Sequence, residues 1–435
     1  MIINAGSLPV RLAALAALLA VAAGAAAQPY SVSYGDRWSL FPYNFSAPIA
    51  GGLDLNGDGR SDLIVPLASG PARLYLSQGN GRFVRKTLPF WAPQEIEALA
   101  FAGGDFDGDG RVDLAYTGDS RQVRVLRNLG GANFRHVQAI PTQSSGESAR
   151  LSALVSGDFN GDGKVDLVAL DRGRDTTPAG TSALLVWGQA GGQFAAAASR
   201  LPTAGGAIWA AAGDFTGDGR ADLLTGNRTG DVSLSHYDSS TATPRLLASL
   251  RTYTGVEEAR VEGLGSGHIN DDNRLDAAAV FSYTPANAPN TRLYLLRTLR
   301  NNGTATALQW SGEAQMIEGC FASNTSVRLG DYNGDTKTDV LVSCINGIGG
   351  LLYGRGDFTF DAPVYLSLPE ESAQGVTSRG LARGDYDGDG RLDIAVVTQR
   401  GLRVLRYDPA ADRLFADGFQ SAAGAAAAAQ NTFVE

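Results

Sequence analysis

A chain of 435 residues, 55 of them glycine and only 19% charged, is too long for one small core unless it is built from repeated units. No long stretch carries the apolar period of a surface helix, so mostly β structure is expected. The formal net charge of −9 excludes the broadly basic surface that a nucleic-acid partner requires.

Residues 1–27 carry one charged side chain, Arg11, then the apolar run Leu12 to Ala23 and the small-residue end Ala25-Ala26-Ala27 before Gln28. This pattern predicts a cleaved secretory signal peptide and a secreted or periplasmic mature chain. The run is short for a membrane anchor, and no other stretch reads as a transmembrane segment. Residues 28–420 are read as the folded region, and 421–435, SAAGAAAAAQNTFVE, as a low-complexity tail that frays.

After a strand-like run from Tyr30 to Tyr34 comes DLNGDGRSD, starting at Asp54. It returns as DFDGDGRVD from Asp105, DFNGDGKVD from Asp158, DFTGDGRAD from Asp214, DYNGDTKTD from Asp331 and DYDGDGRLD from Asp385. The gap between Asp214 and Asp331 is two units long. A degenerate copy fills it: HINDDNRLD, from His268, keeps Asn270, Asp272 and Asp276 in register. The seven copies recur at a spacing of about 55 residues, which marks a repeat architecture.

Each of the six complete loops gathers oxygen-bearing side chains at its first, third, fifth and ninth positions. At about 4 Å a like-charged pair costs about 4 kcal/mol at an effective dielectric of about 20, so converging carboxylates call for a cation. Glycines at the fourth and sixth positions let the backbone turn so that the seventh carbonyl points inward. An all-oxygen set of this kind suits calcium, whereas magnesium keeps its waters and zinc or copper would want His or Cys. An EF-hand is excluded, because the twelfth residue of the second copy is Tyr116 and Val112, Leu114 and Ala115 begin a strand. The competing reading is of plain Asp/Gly turns, which do not need an Asp at the ninth position.

Behind each loop runs a β-rich segment, such as Asp62 to Leu67, Asp166 to Leu170 or Asp393 to Val397. A second alternating run follows, as in Val123 to Leu126 or Leu184 to Trp187, and then a Gly-rich turn ending in an aromatic: GNGRF at 79–83, GGANF at 130–134, GGQF at 191–194. With the run before the loop, this gives four strands per unit. The predicted fold is all-β, a seven-bladed β-propeller of four-stranded blades with calcium-binding hairpin loops. Ring closure requires one chain end to complete a blade begun by the other, either Tyr30 to Tyr34 or the late run Arg413 to Phe419.

The motif Gly-Asp-Phe-(Asn/Asp/Thr)-Gly-Asp-Gly-x-x-Asp-Leu of copies two to four, with Tyr for Phe in copies six and seven, resembles the FG-GAP, or VCBS, repeats of integrin α-subunit-like β-propellers. The literal Phe-Gly…Gly-Ala-Pro signature is absent, so the resemblance rests on the loop and the period. It implies loops on one face of the propeller, each between adjacent strands of a blade. The side-chain ligands it implies are Asp54, Asn56, Asp58 and Asp62; Asp105, Asp107, Asp109 and Asp113; Asp158, Asn160, Asp162 and Asp166. In the later copies they are Asp214, Thr216, Asp218 and Asp222; Asp331, Asn333, Asp335 and Asp339; Asp385, Asp387, Asp389 and Asp393. Backbone oxygens come from Arg60, Arg111, Lys164, Arg220, Lys337 and Arg391. Up to six Ca²⁺ ions are thus expected. Thr216 is neutral and Thr336 replaces a glycine, so the fourth and sixth loops should bind less tightly than the second and seventh. In the degenerate loop Asp271 and Asn273 stand where the left-handed backbone is needed; its hairpin should survive and its calcium site should be empty.

Cys320 and Cys344 flank the sixth loop, and in an exported chain a disulfide between them is expected over two separate buried thiols. His136, His236 and His268 fall in different units, and no G-x-S-x-G, H-E-x-x-H, P-loop or CxxC motif occurs, so no enzyme is expected. Arg355-Gly356-Asp357 reads as a turn rather than an adhesion motif. Asn44, Asn227, Asn302 and Asn324 open glycosylation-type tripeptides, and Trp38, Trp91, Trp187, Trp209 and Trp310 are expected to pack between blades rather than stack on sugars. The reading is of a monomeric module that binds an extracellular protein or glycan through longer loops such as Arg172 to Thr181 and Tyr283 to Arg292. The alternatives are a lyase-like polysaccharide-active enzyme and a structural part of a surface assembly.

Overall fold

Each Asp-rich loop turns one strand back onto the next, and each Gly-rich turn does the same two strands later, so every repeat closes into its own four-stranded antiparallel sheet. A computed structural model describes residues 30–37, 49–67, 71–79, 81–89, 98–118, 122–142, 151–171, 183–196, 198–251, 257–285, 288, 291–303, 308–317, 326–343, 349–366, 380–398 and 401–407. Blade 1 is Ala50–Leu53, Asp62–Val65, Arg73–Ser77 and Phe83–Thr87. Blade 2 is Ala98–Gly104, Asp113–Gly118, Gln122–Asn128 and Phe134–Pro141. Blade 3 is Leu151–Gly157, Asp166–Asp171, Ala183–Val186 and Ser199–Leu201, with a short extra hairpin of Gly188–Gln189 and Gln193–Phe194. Blade 4 is Ala207–Gly213, Asp222–Asn227, Asp231–Asp238 and Thr243–Arg251. Blade 5 is Glu257–Gly267, Asp276–Thr284, Leu293–Asn301 and Leu308–Met316. Blade 6 is Val327–Gly330, Asp339–Ser343, Gly349–Leu352 and Val364–Leu366. Blade 7 is Gly380–Gly384, Asp393–Thr398 and Gly401–Tyr407, and its fourth strand is Tyr30–Arg37 from the beginning of the chain. The amino-terminal run is therefore the one that completes the last blade.

The second and third strands read as unbroken apolar runs because both faces are covered by neighbouring blades. Asp62–Val65 and Ala183–Val186 are buried at every position, whereas the outer strand Phe83–Thr87 has no buried residue. The core consists of layers between blades. Phe106, Val125, Leu167 and Phe194 pack between blades 2 and 3. Phe215, Leu234, Leu264 and Phe281 pack between blades 4 and 5. Ile49, Tyr75, Tyr386 and Val404 close blade 7 onto blade 1. Burying each large apolar side chain contributes roughly 2 kcal/mol. Trp187 meets Tyr237 of the next blade edge to face at 5.2 Å, and Trp310 meets Phe281 at 5.2 Å.

First strands of consecutive blades approach one another and so line the centre of the ring. The glycine that precedes the loop Asp makes this possible: a Cβ on Gly213 would lie 2.2 Å from Leu275 of the next blade. The register places Gly104 opposite Asp113, Gly157 opposite Asp166 and Gly384 opposite Asp393, so each loop joins a first strand to a second.

Val32–Tyr407 forms one compact unit, and the other unit, Met1–Ser31 with Asp408–Glu435, lies almost wholly outside the described residues. Also outside them are the signal-peptide segment, Cys320 and Cys344, the loop Arg172 to Thr181, Trp38, Trp91, Asn44, Asn324, the run Arg413 to Phe419 and the tail. No described helix is long and apolar enough to cross a membrane.

Candidate metal centres

The first Asp of each complete loop is the organiser of its turn. Asp54 Oδ1 accepts the backbone N–H groups of Gly57 at 2.7 Å and Asp58 at 3.1 Å, and its Oδ2 accepts that of Gly59 at 2.8 Å. The same three bonds recur on Asp105, Asp158, Asp214, Asp331 and Asp385, within 2.6–3.1 Å. Such N–H groups converge only if the backbone turns left-handed. Gly57 has φ 79° and Gly59 φ 83°, and Thr336 is held at φ 71° in the glycine's place.

The third and fifth positions continue the turn. Asn56, Asp107, Asn160, Asn333 and Asp387 each accept the N–H of the fifth residue through Oδ1. The fifth Asp accepts the N–H of the seventh residue, as in Arg60 to Asp58 at 3.0 Å and Lys337 to Asp335 at 2.9 Å. The seventh side chain, expected only as a source of a backbone oxygen, also turns back: Arg60 pairs with Asp58 at 2.7 Å and Lys164 with Asp162 at 2.8 Å. Arg111 pairs likewise with Asp109, Arg220 with Asp218, and Arg391 more loosely with Asp389 at 3.8 Å. The Lys164 hydrogen bond holds the Asp162 carboxyl below its usual range.

The ninth Asp is also a buried tie between its loop and the third strand. Asp62 accepts the Leu55 N–H at 2.8 Å within its loop and the Ser77 N–H at 2.8 Å from the third strand. Asp113 does the same with Phe106 and Asn128, Asp166 with Phe159 and Gly188, and Asp339 with Tyr332 and Gly354. Asp222 holds both Phe215 and Thr216, and Asp393 holds Tyr386. Burial is the leading cause that pushes these carboxyls up, with the other loop carboxylates adding and the backbone N–H groups opposing. Asp62, Asp113 and Asp166 reach about 6, and Asp222, Asp339 and Asp393 about 7.

Carboxylates converge most in the two loops with Asp at the third position. Asp105, Asp107 and Asp109 each place one oxygen within 4.8 Å of the others, and so do Asp385, Asp387 and Asp393. In both, an arginine on the third strand answers the extra charge: Arg127 lies 2.8 Å from Asp107 and Arg406 lies 3.5 Å from Asp387. The donor set is oxygen throughout, and a carboxylate with about four acceptor sites that takes three N–H bonds keeps room for a cation. The residues present therefore fit calcium.

Neighbouring loops are stitched together. The Ser61 N–H donates to the Asp385 oxygen and the Ala221 N–H to the Asp158 oxygen, both at 2.8 Å. Side chains from the next blade clamp the second residue of the preceding loop: Asn128 Nδ2 donates to the Leu55 oxygen at 2.7 Å, Asn301 Nδ2 to the Phe215 oxygen at 2.6 Å, and Ser77 Oγ to the Tyr386 oxygen.

The degenerate loop differs. Asn273 is left-handed at φ 58° as expected, but Asp271 is not among the residues with positive φ. Without the two glycines and the first Asp, the turn is rebuilt: Asn270 and Arg274 both bond Asp272, and Asp276 keeps its two backbone ties to Ile269 and Asn301. The Arg-Gly-Asp segment is a turn whose Arg355 pairs with Asp361 and whose Asp357 accepts from Thr359.

The FG-GAP-like repeat family model matches residues 54–116, 105–169 and 158–225, each window running from the first Asp of one loop past the ninth Asp of the next. This is an FG-GAP repeat propeller protein. No curated protein sequence matches it. Solved structures share the fold of this FG-GAP propeller at low identity. The BBS1N structure in complex with ARL6DN superposes with a TM-score of 0.55 at 11% identity, covering 87% of this chain and 97% of that one. The Nup133 β-propeller domain of Vanderwaltozyma polyspora gives 0.55 at 12% identity, covering 87% and 97%.

Proposed function

We propose that this FG-GAP propeller is an exported binding module whose loops take up calcium and thereby rigidify one end of the ring, leaving its surface to hold an extracellular protein or glycan. The observation that carries the calcium reading is the convergence of three carboxylates within 4.8 Å in each of the second and seventh loops, among donors that are oxygen only. Export is supported by the leader-like residues 1–27. A binding role is supported by the fold, a rigid scaffold with connecting loops at its ends. The related BBS1N propeller was solved with a protein partner, ARL6DN.

The test is calorimetric titration of calcium into the metal-free chain, with bound metal counted, followed by capture from a glycan array and an extracellular protein fraction with calcium and with chelator. Five or six ions per chain with calcium-dependent capture is the expected result. Absence of bound metal would remove the calcium reading, and metal without any captured ligand would favour a structural part of an assembly.

A further inference from the structure

On the inner strands of blades 6 and 7, two arginines stand at positions that the other blades fill with small or apolar residues. At the position two residues before the pair that closes each loop, the blades carry Ala102, Val155, Ala211, Gly265 and Ala382, but blade 6 carries Arg328, opposite Leu341. One position nearer the loop, blade 7 carries Arg383, opposite Ile394, where blade 2 has glycine and blade 3 serine.

These two cations meet between blades 6 and 7. Arg383 Nη1 lies 3.1 Å from where a Cβ of Gly330 would stand, and Gly330 shares its side of the strand with Arg328, two residues back. The first strands of blades 6 and 7 make the loosest approach of any adjacent pair in the ring. Both arginines are half-buried.

Neither guanidinium has a carboxylate partner among the described residues; Arg328 donates only to the Val327 oxygen, at 3.1 Å. Burial, and with it the Arg383 charge, disfavours the charged form of Arg328. Beside the pair, Tyr332 is fully buried and its hydroxyl has no hydrogen-bond partner, although both guanidiniums act on it. Two like charges and an unsatisfied hydroxyl in one partly buried place are costly unless an anion completes them.

We propose that Arg328 and Arg383 form an oxyanion-binding site at the inner edge of blades 6 and 7, which takes a carboxylate, sulfate or phosphate group with the Tyr332 hydroxyl as a further donor. Guanidinium forks suit such groups, and a phenol that lacks an acceptor gains one. The two arginines lie on the inner strands of blades 6 and 7, whereas Tyr332 is the second residue of the sixth Asp loop and is tied by its N–H to Asp339. The site would accept either a free inorganic anion or the acidic group of a larger ligand.

The experiment is calorimetry and thermal unfolding of the whole chain with low-millimolar sulfate, acetate or glucuronate against chloride at matched ionic strength. Wild type should bind one oxyanion per chain and unfold at a higher midpoint with it. Sulfate alone acting would indicate a free-ion site, and glucuronate binding at least as well as acetate would indicate the acidic group of a glycan. Arg328→Ala and Arg383→Ser restore the residue types of other blades and should abolish the response. Tyr332→Phe removes one atom, and should weaken sulfate binding about tenfold while the chain stays folded. Absence of oxyanion binding by wild type, or the same affinity in all three variants, would overturn the proposal.

Discussion

The Nδ1–H of His268 donates to the backbone oxygen of Arg274 at 3.0 Å, joining the first and seventh positions of the fifth loop to each other. In a complete loop these are the positions that, on the calcium reading, would supply a carboxylate and a backbone oxygen to the ion. Here an imidazole spans them, so the fifth loop closes by itself. Replacing His268→Asp together with Asp271→Gly and Asn273→Gly should restore the complete pattern. Bound calcium should then rise by one ion per chain; an unchanged count would show that another feature empties this loop.

Acidity should stabilise the metal-free protein. Asp62, Asp113 and Asp166 are pushed up to about 6 and Asp222, Asp339 and Asp393 to about 7, chiefly by burial. Between about pH 4 and pH 7 the native chain holds protons that the unfolded chain has released, so stability falls as pH rises through that window. Calcium favours the ionised form and should flatten or reverse the slope. Thermal midpoints of metal-free and calcium-loaded protein from pH 4.5 to 7.5 check this, and a metal-free midpoint that climbs with pH would contradict it.

Thr336 occupies a left-handed position with φ 71° that glycine fills in the other complete loops. Thr336→Gly should therefore stabilise the chain by about 1 kcal/mol in denaturant unfolding, because a β-branched residue pays a steric cost there. Gly59→Ala should cost about 1 kcal/mol at the mirror-image test site, since its φ is 83° and no atom lies within 4 Å of the added Cβ. An equal effect of both changes would mean that φ is not what distinguishes them.

Asn128 should matter to a loop it does not belong to. Its Nδ2 donates to the Leu55 oxygen at 2.7 Å and the Val112 oxygen at 3.0 Å, and its Oδ1 accepts the Gly130 N–H at 3.0 Å. Asn128→Ala should cost roughly 2 kcal/mol of stability, because it strands buried backbone groups in two blades. Calcium affinity measured on the first loop should weaken as well, and loss confined to the second loop would deny the coupling.

Much of this molecule is legible in its sequence because the loop motif fixes both the period and the start of each second strand. The seven sheets and the left-handed Asn273 follow from that motif; the need to cover a free edge predicts that one chain end completes a blade, and the pairing of Tyr30–Arg37 with Gly401–Tyr407 shows which end it is. What it hides is whatever depends on a neighbouring blade. Asn128 looks like a strand end in its own repeat, yet it serves the loop of the previous one. Arg127 and Arg406 sit at matching places in the two repeats with a third-position Asp, a signal that becomes readable only when the strands are aligned. Asp271 was expected to turn left-handed, but the missing first Asp leaves no carboxylate to gather the N–H groups that such a turn would present.

The strand Tyr30–Arg37 is synthesised before any complete blade and belongs to the last one. Its hydrogen-bonding partner does not exist until nearly the whole chain has been made. The early strand can take this place only after Gly401–Tyr407 exists, which makes its pairing strongly non-local. Sealing the circle thus serves as a completeness check: a chain cut short anywhere before Gly401–Tyr407 leaves its own beginning without a place to go.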